Sequence, residues 1–224
     1  MLGHEKRQRL LVKHTMKRPT LHTPAQSGFS IIEIAVTLVV LALLMTSALP
    51  NISSWMRNAK LRNQAEALLT GLQQARNEAV RRNHNIGFWM VTLPTTATMA
   101  NDCTLSSSGT SWVVSASDPS SHCGDAAIFD TAPHIVTKHT GADGGTGVTV
   151  SGLKSDGTAA SNLVFDGFGR ATGDLRRVNI SYASAQANDR ALRIEVSTSG
   201  QARLCDVSVT VSGDPRKCST GSFQ

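Results

Sequence analysis

Aromatic side chains are scarce: 224 residues contain three Trp, one Tyr and six Phe. A core built from this chain must rest on aliphatic packing, with help from cross-links. The motifs of catalysis are also missing. The chain has no HExxH helix, no nucleophile elbow and no repeated carboxylate pair. His84, His122, His134 and His139, the four histidines beyond residue 28, are scattered. The Gly-rich run GADGGTG lacks the GK[ST] ending of a phosphate loop and does not open a helix. Cys103, Cys123, Cys205 and Cys218 show neither CxxC nor HxxxH spacing, and His122 is the only histidine beside one of them. These absences speak against an enzyme and imply no metal and no cofactor.

Positive charge is absent from most of the chain as well. Of the formal +6, five charges lie within residues 1–28, where Lys6, Arg7, Arg9, Lys13, Lys17 and Arg18 face only Glu5. That flank precedes an apolar run, as the positive-inside rule asks of a cytoplasmic end. A second, smaller excess lies in residues 51–83, with Arg57, Lys60, Arg62, Arg76, Arg81 and Arg82 against Glu66 and Glu78. The remainder is close to neutral, so global charge points to membrane orientation before nucleic acid.

What the chain does have is one long apolar run. Phe29 to Leu49 holds a single charge, Glu33. As a helix this run would span about 31 Å, near the thickness of a bilayer's hydrocarbon core. Pro50 predicts a bend or a local loss of hydrogen bonds at its far end. Beyond it the pattern becomes amphipathic: Ile52, Trp55, Met56, Ala59, Ala65, Leu68, Leu69, Leu72, Ala75, Ala79 and Val80 fall on one helical face. Gly71 reads as a flaw there, costing on the order of 1 kcal/mol relative to Ala.

After Asn83 short β-like runs alternate with turn residues. The candidates are residues 86–93, 111–117, 126–130, 147–153, 162–169, 176–183, 190–197 and 202–209, the last two joined by the hairpin turn STSGQ. Residues 94–110 and 118–125 read as an ordered insertion, and residues 139–147 as a flexible link. The four cysteines allow three pairings. The sequence-local choice, Cys103–Cys123 and Cys205–Cys218, would staple two long loops on an oxidising face of a membrane. The predicted class is α+β: a long N-terminal helix packed on an antiparallel β domain of two sheets, with the amphipathic half forming one wall of the core.

GFSIIEIAVTLVVLALLMTSALPN resembles the amino-terminal segment of type IV pilins and of the pseudopilins of type II secretion. The resemblance implies four segments: a prepilin leader over 1–28, a transmembrane and assembly helix over 29–50, an amphipathic half-helix over 51–84 and a periplasmic β domain over 85–224. It also implies cleavage between Gly28 and Phe29 by the prepilin peptidase, then N-methylation of Phe29. Glu33 becomes the fifth residue of the mature chain, the position that family fills with Glu, and Pro50 falls where the family places a proline. A lone carboxylate in lipid is unfavourable by a few kcal/mol or more. Its natural partner is the amine of Phe29 on a neighbouring subunit, so assembly satisfies a charge that is costly alone.

NLVFDGFGRATG, RALRIEVSTSGQARLCD and GDPRKC are similar to the GspH/FimT branch of the family, and RLCD with GDPRKC looks more like its pilus minor pilins than its secretion pseudopilin. The implied function is structural: priming a type IV pilus or capping its tip with other minor pilins and the major pilin. The alternative within the branch is the minor pseudopilin of type II secretion. The implied location is the bacterial inner membrane, with the N-terminus cytoplasmic, and afterwards the fibre. A third alternative is DNA uptake, because some members carry a Gly-Arg-x-Arg motif in the last hairpin. Here that stretch is Gly200-Gln201-Ala202-Arg203, which lacks the first Arg. Arg203, Arg193, Arg216 and Lys217 form the candidate DNA-binding set, opposed by Asp189, Glu195, Asp206 and Asp214.

Overall fold

The structure, a computed structural model, describes residues 28–219 except Thr96; the side chains of residues 47–51 and of Asp143 are likewise outside the described set. The basic flank up to Ser27, the expected leader, therefore lies outside the described residues, as does the side chain of Pro50. The chain divides after Met45 into two units.

Helix α1 runs from Ile31 to Arg82. Its helical assignment is unbroken at position 50, where the proline predicted a loss of hydrogen bonding. From Phe29 to Thr46 every side chain is exposed. Among the described residues no helix is long and apolar enough to cross a membrane. The apolar run of the sequence continues into residues 47–49, whose side chains are not described.

The other stretch of α1 is anchored. Leu61, Ala65, Leu68, Leu72, Ala75 and Ala79 are fully buried, alternating spacings of four and three, which put them on one stripe of a helix. The expected face was longer: Ile52, Trp55, Met56 and Val80 are at least half exposed. Burial begins at Leu61, which the periodicity reading passed over.

Among the described residues nine strands follow, β1 (Ile86–Thr92), β2 (Thr104–Leu105), β3 (Ser111–Ser115), β4 (Ile135–His139), β5 (Val148–Leu153), β6 (Asn162–Phe165), β7 (Arg177–Tyr182), β8 (Leu192–Val196) and β9 (Ala202–Asp206). All strand pairing is antiparallel. One sheet runs β2-β1-β3-β4, with β6 also pairing with β1. β6 takes the Ile86–Trp89 end of β1 and β2 the Val91–Thr92 end. The second sheet runs β5-β7-β8-β9. The stripe of α1 shares one core with Ile86, Phe88, Met90, Leu163 and Phe165 of the first sheet and Val178, Ile180, Leu192 and Ile194 of the second. The fold is thus the expected long helix on two antiparallel sheets.

Gly71 is not a flaw. A Cβ there would lie 2.7 Å from the Phe88 ring and 2.8 Å from Trp112. The missing side chain lets the helix backbone approach the Phe88–Trp112 pair of the core, whose ring centroids are 5.8 Å apart.

Two expectations are corrected. Residues 126–130 form no strand. The Ile128 N–H bonds back to the Ala126 carbonyl in a local turn, Ile128 is exposed, and the Phe129 ring lies under the Arg82 guanidinium. The strand in this region is β4, which the sequence reading placed partly in a link. Part of that link, Gly141–Gly144, is a 3-10 turn.

Candidate processing and assembly surfaces

The Gly28–Phe29 peptide bond lies outside the helix. Residues 28–30 carry no regular structure, a Cβ at Gly28 would meet nothing within 4 Å, and Phe29 is exposed. The Ser30 carbonyl accepts the first helical bonds, from the N–H groups of Glu33 (3.0 Å) and Ile34 (3.2 Å). Glu33 thus sits in the first turn, where the positive end of the helix dipole favours a carboxylate. Among the described residues no cation forms an ion pair with it.

At the other end of the chain, the candidate DNA-binding cations are engaged internally. The Arg203 guanidinium donates to Glu195 at 2.8 Å and to Ser219 Oγ at 2.7 Å. Glu195 is 1% exposed, and its carboxylate also accepts the Ser219 N–H at 2.9 Å. A buried charge needs such partners, so Arg203 is the counter-ion of a buried acid. Arg193 donates to Asn179 Oδ1 at 2.7 Å. Arg216 pairs with Asp214 at 2.8 Å, and the Lys217 ammonium donates to the Thr210 carbonyl. Of the opposing acids, Asp206 accepts from Ser208 and Asp189 pairs with Arg57.

That last contact was not legible in the sequence, where Arg57 is one of the cations in the excess over residues 51–83. Arg57 donates through Nε and Nη2 to both Asp189 oxygens, and its guanidinium lies 3.8 Å from the Tyr182 ring centroid. Asn58 adds two bonds, donating to the Asn188 carbonyl and accepting the Arg190 N–H. Together they clamp the stem to the β7–β8 loop. The Arg57 hydrogen bonds hold the Asp189 carboxyl below the ordinary aspartate value, against the opposing effect of its desolvation. Glu78 is held low in the same way, first by Arg81 and also by Arg82.

Both disulfides join sequence-local cysteines, Cys103–Cys123 and Cys205–Cys218. The first lies in a small second core with Val91, Val113 and Ile135. The second brings the chain end back onto β9, beside the Glu195 carboxylate. Glu195, Cys205 and Cys218 approach one another closely enough for a metal, but both sulfurs are committed to the disulfide.

A groove of about 710 Å³ opens between the stem and the last hairpin, lined by Trp55, Arg62, Arg190, Leu192, Leu204 and Arg216 among others. A second, of about 480 Å³, lies on the first-sheet side of the stem and includes Glu66, Trp112 and His139.

The family described as type II transport protein GspH matches residues 64–200, and the prokaryotic N-terminal methylation motif matches residues 23–49. No curated protein matches the chain in sequence. Two crystal forms of the type IV minor pilin FimU from Pseudomonas aeruginosa (strain PAO1) are similar in structure. One has 16% identity and a TM-score of 0.40, over 64% of this chain and 90% of FimU. The other has 18% identity and a TM-score of 0.40, over 64% and 87%. By its family match and its methylation motif the chain belongs to the GspH family: it is a minor pilin or pseudopilin of the type IV pilus and type II secretion group, structural and not enzymatic, processed as a prepilin and anchored in the inner membrane before it joins other pilins.

Proposed function

We propose that this chain is a minor pilin of a type IV pilus, which primes assembly or caps the fibre tip with other minor pilins. On this reading the segments are a leader (1–28), a transmembrane and assembly helix (29–50), an amphipathic half-helix (51–84) and a periplasmic β domain (85–224). The observation that carries it is the contrast within α1: its apolar N-terminal stretch, with Glu33 in the first turn, is exposed, whereas Leu61–Ala79 is buried in the chain's own core. Exposed apolar surface of this extent marks a binding surface, here lipid first and neighbouring helices later. The prepilin peptidase cuts at the exposed Gly28–Phe29 bond, and the new Phe29 amine, once methylated, is the cation for Glu33 of an adjacent subunit. Two disulfides suit a β domain in the oxidising periplasm.

Mass spectrometry of the chain recovered from native membranes tests processing. The expected N-terminus is N-methylated Phe29; a chain that keeps its basic leader or begins beyond the apolar run overturns the proposal. Glu33→Ala is expected to leave membrane insertion intact and to lower incorporation into fibres by about tenfold or more, consistent with losing a paired charge in a low-dielectric setting. Normal incorporation would count against the pairing.

A second reading, the minor pseudopilin of a type II secretion system, is favoured by the description of the matched family. Deletion of the gene separates the two: lost pili support the first, and lost secretion with pili intact supports the second. The DNA-uptake reading draws no support from Arg203, Arg193, Arg216 or Lys217, each of which has partners within the fold.

A further inference from the structure

The groove beside the stem has an uncommitted cation and an apolar lining. Trp55 is 71% exposed, and the partly buried Leu204 and the buried Leu192 complete the apolar part of the lining. Of the three lining arginines, Arg216 is paired with Asp214, and Arg62 lies 4.0 Å from an exposed Glu66. Arg190 is exposed, and its guanidinium has no hydrogen bond or ion pair among the described residues; only its main-chain N–H is held, by Asn58. The volume falls within the range of about 300–1,000 Å³ typical of built binding pockets.

The opposite chemistry is presented elsewhere on the same unit. Residues 118–130 hold Asp118, Asp125 and Asp130 and no Lys or Arg of their own; Asp118 and Asp125 are bonded locally, the Lys138 ammonium donates to the Cys123 and Asp125 carbonyls and Arg82 lies over Phe129, which leaves Asp130 as the open acid of the segment. Within them Ile128 is 53% exposed, two residues from Asp130, which is exposed and has no partner among the described residues. An apolar side chain beside a free carboxylate matches an apolar groove beside a free guanidinium.

The two surfaces lie at different heights along α1. The groove touches the helix at Trp55–Arg62, whereas Phe129 of the acidic segment lies under Arg82, 4.0 Å from its guanidinium. At 1.5 Å per residue, Ala59 and Arg82 are separated by about 35 Å along the axis. Complementary patches at different places on one molecule make a heterologous contact, which leaves a free groove on one copy and a free acidic segment on the other.

We propose that the stem groove receives the acidic segment of a second copy of this chain, with Ile128 against Trp55, Leu192 and Leu204 and with Asp130 paired to Arg190. The contact is head-to-tail and salt-sensitive, and it does not depend on which secretion or pilus machine the chain serves.

All four native cysteines are in disulfides, so a single added cysteine is a unique thiol. Full-length chain in detergent carrying Arg190→Cys is mixed with chain carrying Asp130→Cys and oxidised. The mixture is expected to give at least about tenfold more dimeric adduct than either variant alone, as a heterologous contact requires. Salt near 1 M, where the Debye length falls to about 3 Å, is expected to reduce the adduct severalfold. Arg190→Asp and Asp130→Arg should each abolish native self-association while leaving the circular dichroism and Tm unchanged, and the double variant should restore it. Equal adducts in the unmixed variants, failure of the double variant to recover, or an Arg190→Cys adduct formed in cells with a different protein instead of a second copy would overturn the proposal. So would duplex DNA that binds the groove and is lost in Arg190→Asp while Asp130→Arg has no effect.

Discussion

Helix α1 carries two apolar surfaces of different standing. Leu61, Ala65, Leu68, Leu72, Ala75 and Ala79 are covered by two sheets of the same chain, whereas Ile31, Leu38, Leu43 and Leu44 are at least 59% exposed. The second stretch is the more apolar in sequence and the less buried in the molecule. Hydrophobicity alone therefore does not tell a core from an interface; the interruption of the apolar stretch by small and polar residues does. The buried stripe is made of three Leu and three Ala, with Gln, Asn and Arg between them, as a helix with one wall to cover requires. The exposed stretch is apolar on every side, which is what lipid or a bundle of helices requires.

The same substitution made in both stretches should break the symmetry most visibly. Leu68→Ala opens a cavity between helix and sheets and is expected to cost about 2–5 kcal/mol, read as a lower midpoint in denaturant. Leu38→Ala should leave that midpoint unchanged and alter membrane retention or fibre incorporation. Equal effects on unfolding would mean that the N-terminal stretch packs within its own chain.

Next in size is the Cys103–Cys123 pair. Its removal as Cys103→Ser with Cys123→Ser should destabilise the β domain by roughly 2–4 kcal/mol, since the bridge closes a loop of about 20 residues and sits in the second core. Thermal unfolding with and without reductant checks this, and the apolar N-terminal stretch should be indifferent.

Gly71→Ala sharpens the contrast at one position. Helix propensity alone favours Ala by about 1 kcal/mol, but the added methyl collides with Phe88 and Trp112, and overpacking costs roughly 1–3 kcal/mol. A net loss of stability is expected. A gain would show that the rings yield easily.

The smallest effect concerns pH. The Asp189 carboxyl is held low in the folded chain by Arg57, so its contribution is fully present above the unfolded-state value. It disappears as pH falls through the lower folded value. Asp189→Asn should flatten the acid limb of the stability profile below about pH 4 and leave stability less pH-dependent there. An unchanged acid limb would assign that limb to other depressed acids, such as Glu78 and Asp214.

The residues explain why some of this was legible in the sequence. Ala65–Ala79 and the 190–209 hairpin are local patterns that follow from period and turn chemistry, and the cysteine pairs are the sequence-local choice among three pairings. The Arg57–Asp189 clamp and the Arg203–Glu195 pair depend on which residues the sheets bring together, across separations that no window spans. The 126–130 segment, AAIFD, is a short continuous apolar run that resembles a strand in sequence, but its Phe129 packs with Arg82 and His84 and its Ile128 is exposed. Strand β4 hid behind Thr137, Lys138 and His139, polar residues that are only half-buried. At the candidate site, Gly28, Phe29 and Glu33 were readable because a processing motif is a linear signal. The groove was not, because its lining comes from the stem and the last hairpin.

The turn after β8 offers a practical consequence. Gly200 has φ of 82° there, and a side chain at that position would overlap the Gly169 carbonyl, which already accepts from Arg76 Nε at 3.0 Å. The Ala171 N–H bonds to the Thr198 carbonyl in the same place. Surface hairpin tips are the customary choice for an epitope tag or a fluorescent label, but this one is wedged between the stem and the turn after β6. Labels are better inserted next to Gly157 or Gly213, with these glycines kept for their positive φ of 89° and 86°, because a Cβ at either position would meet nothing within 4 Å.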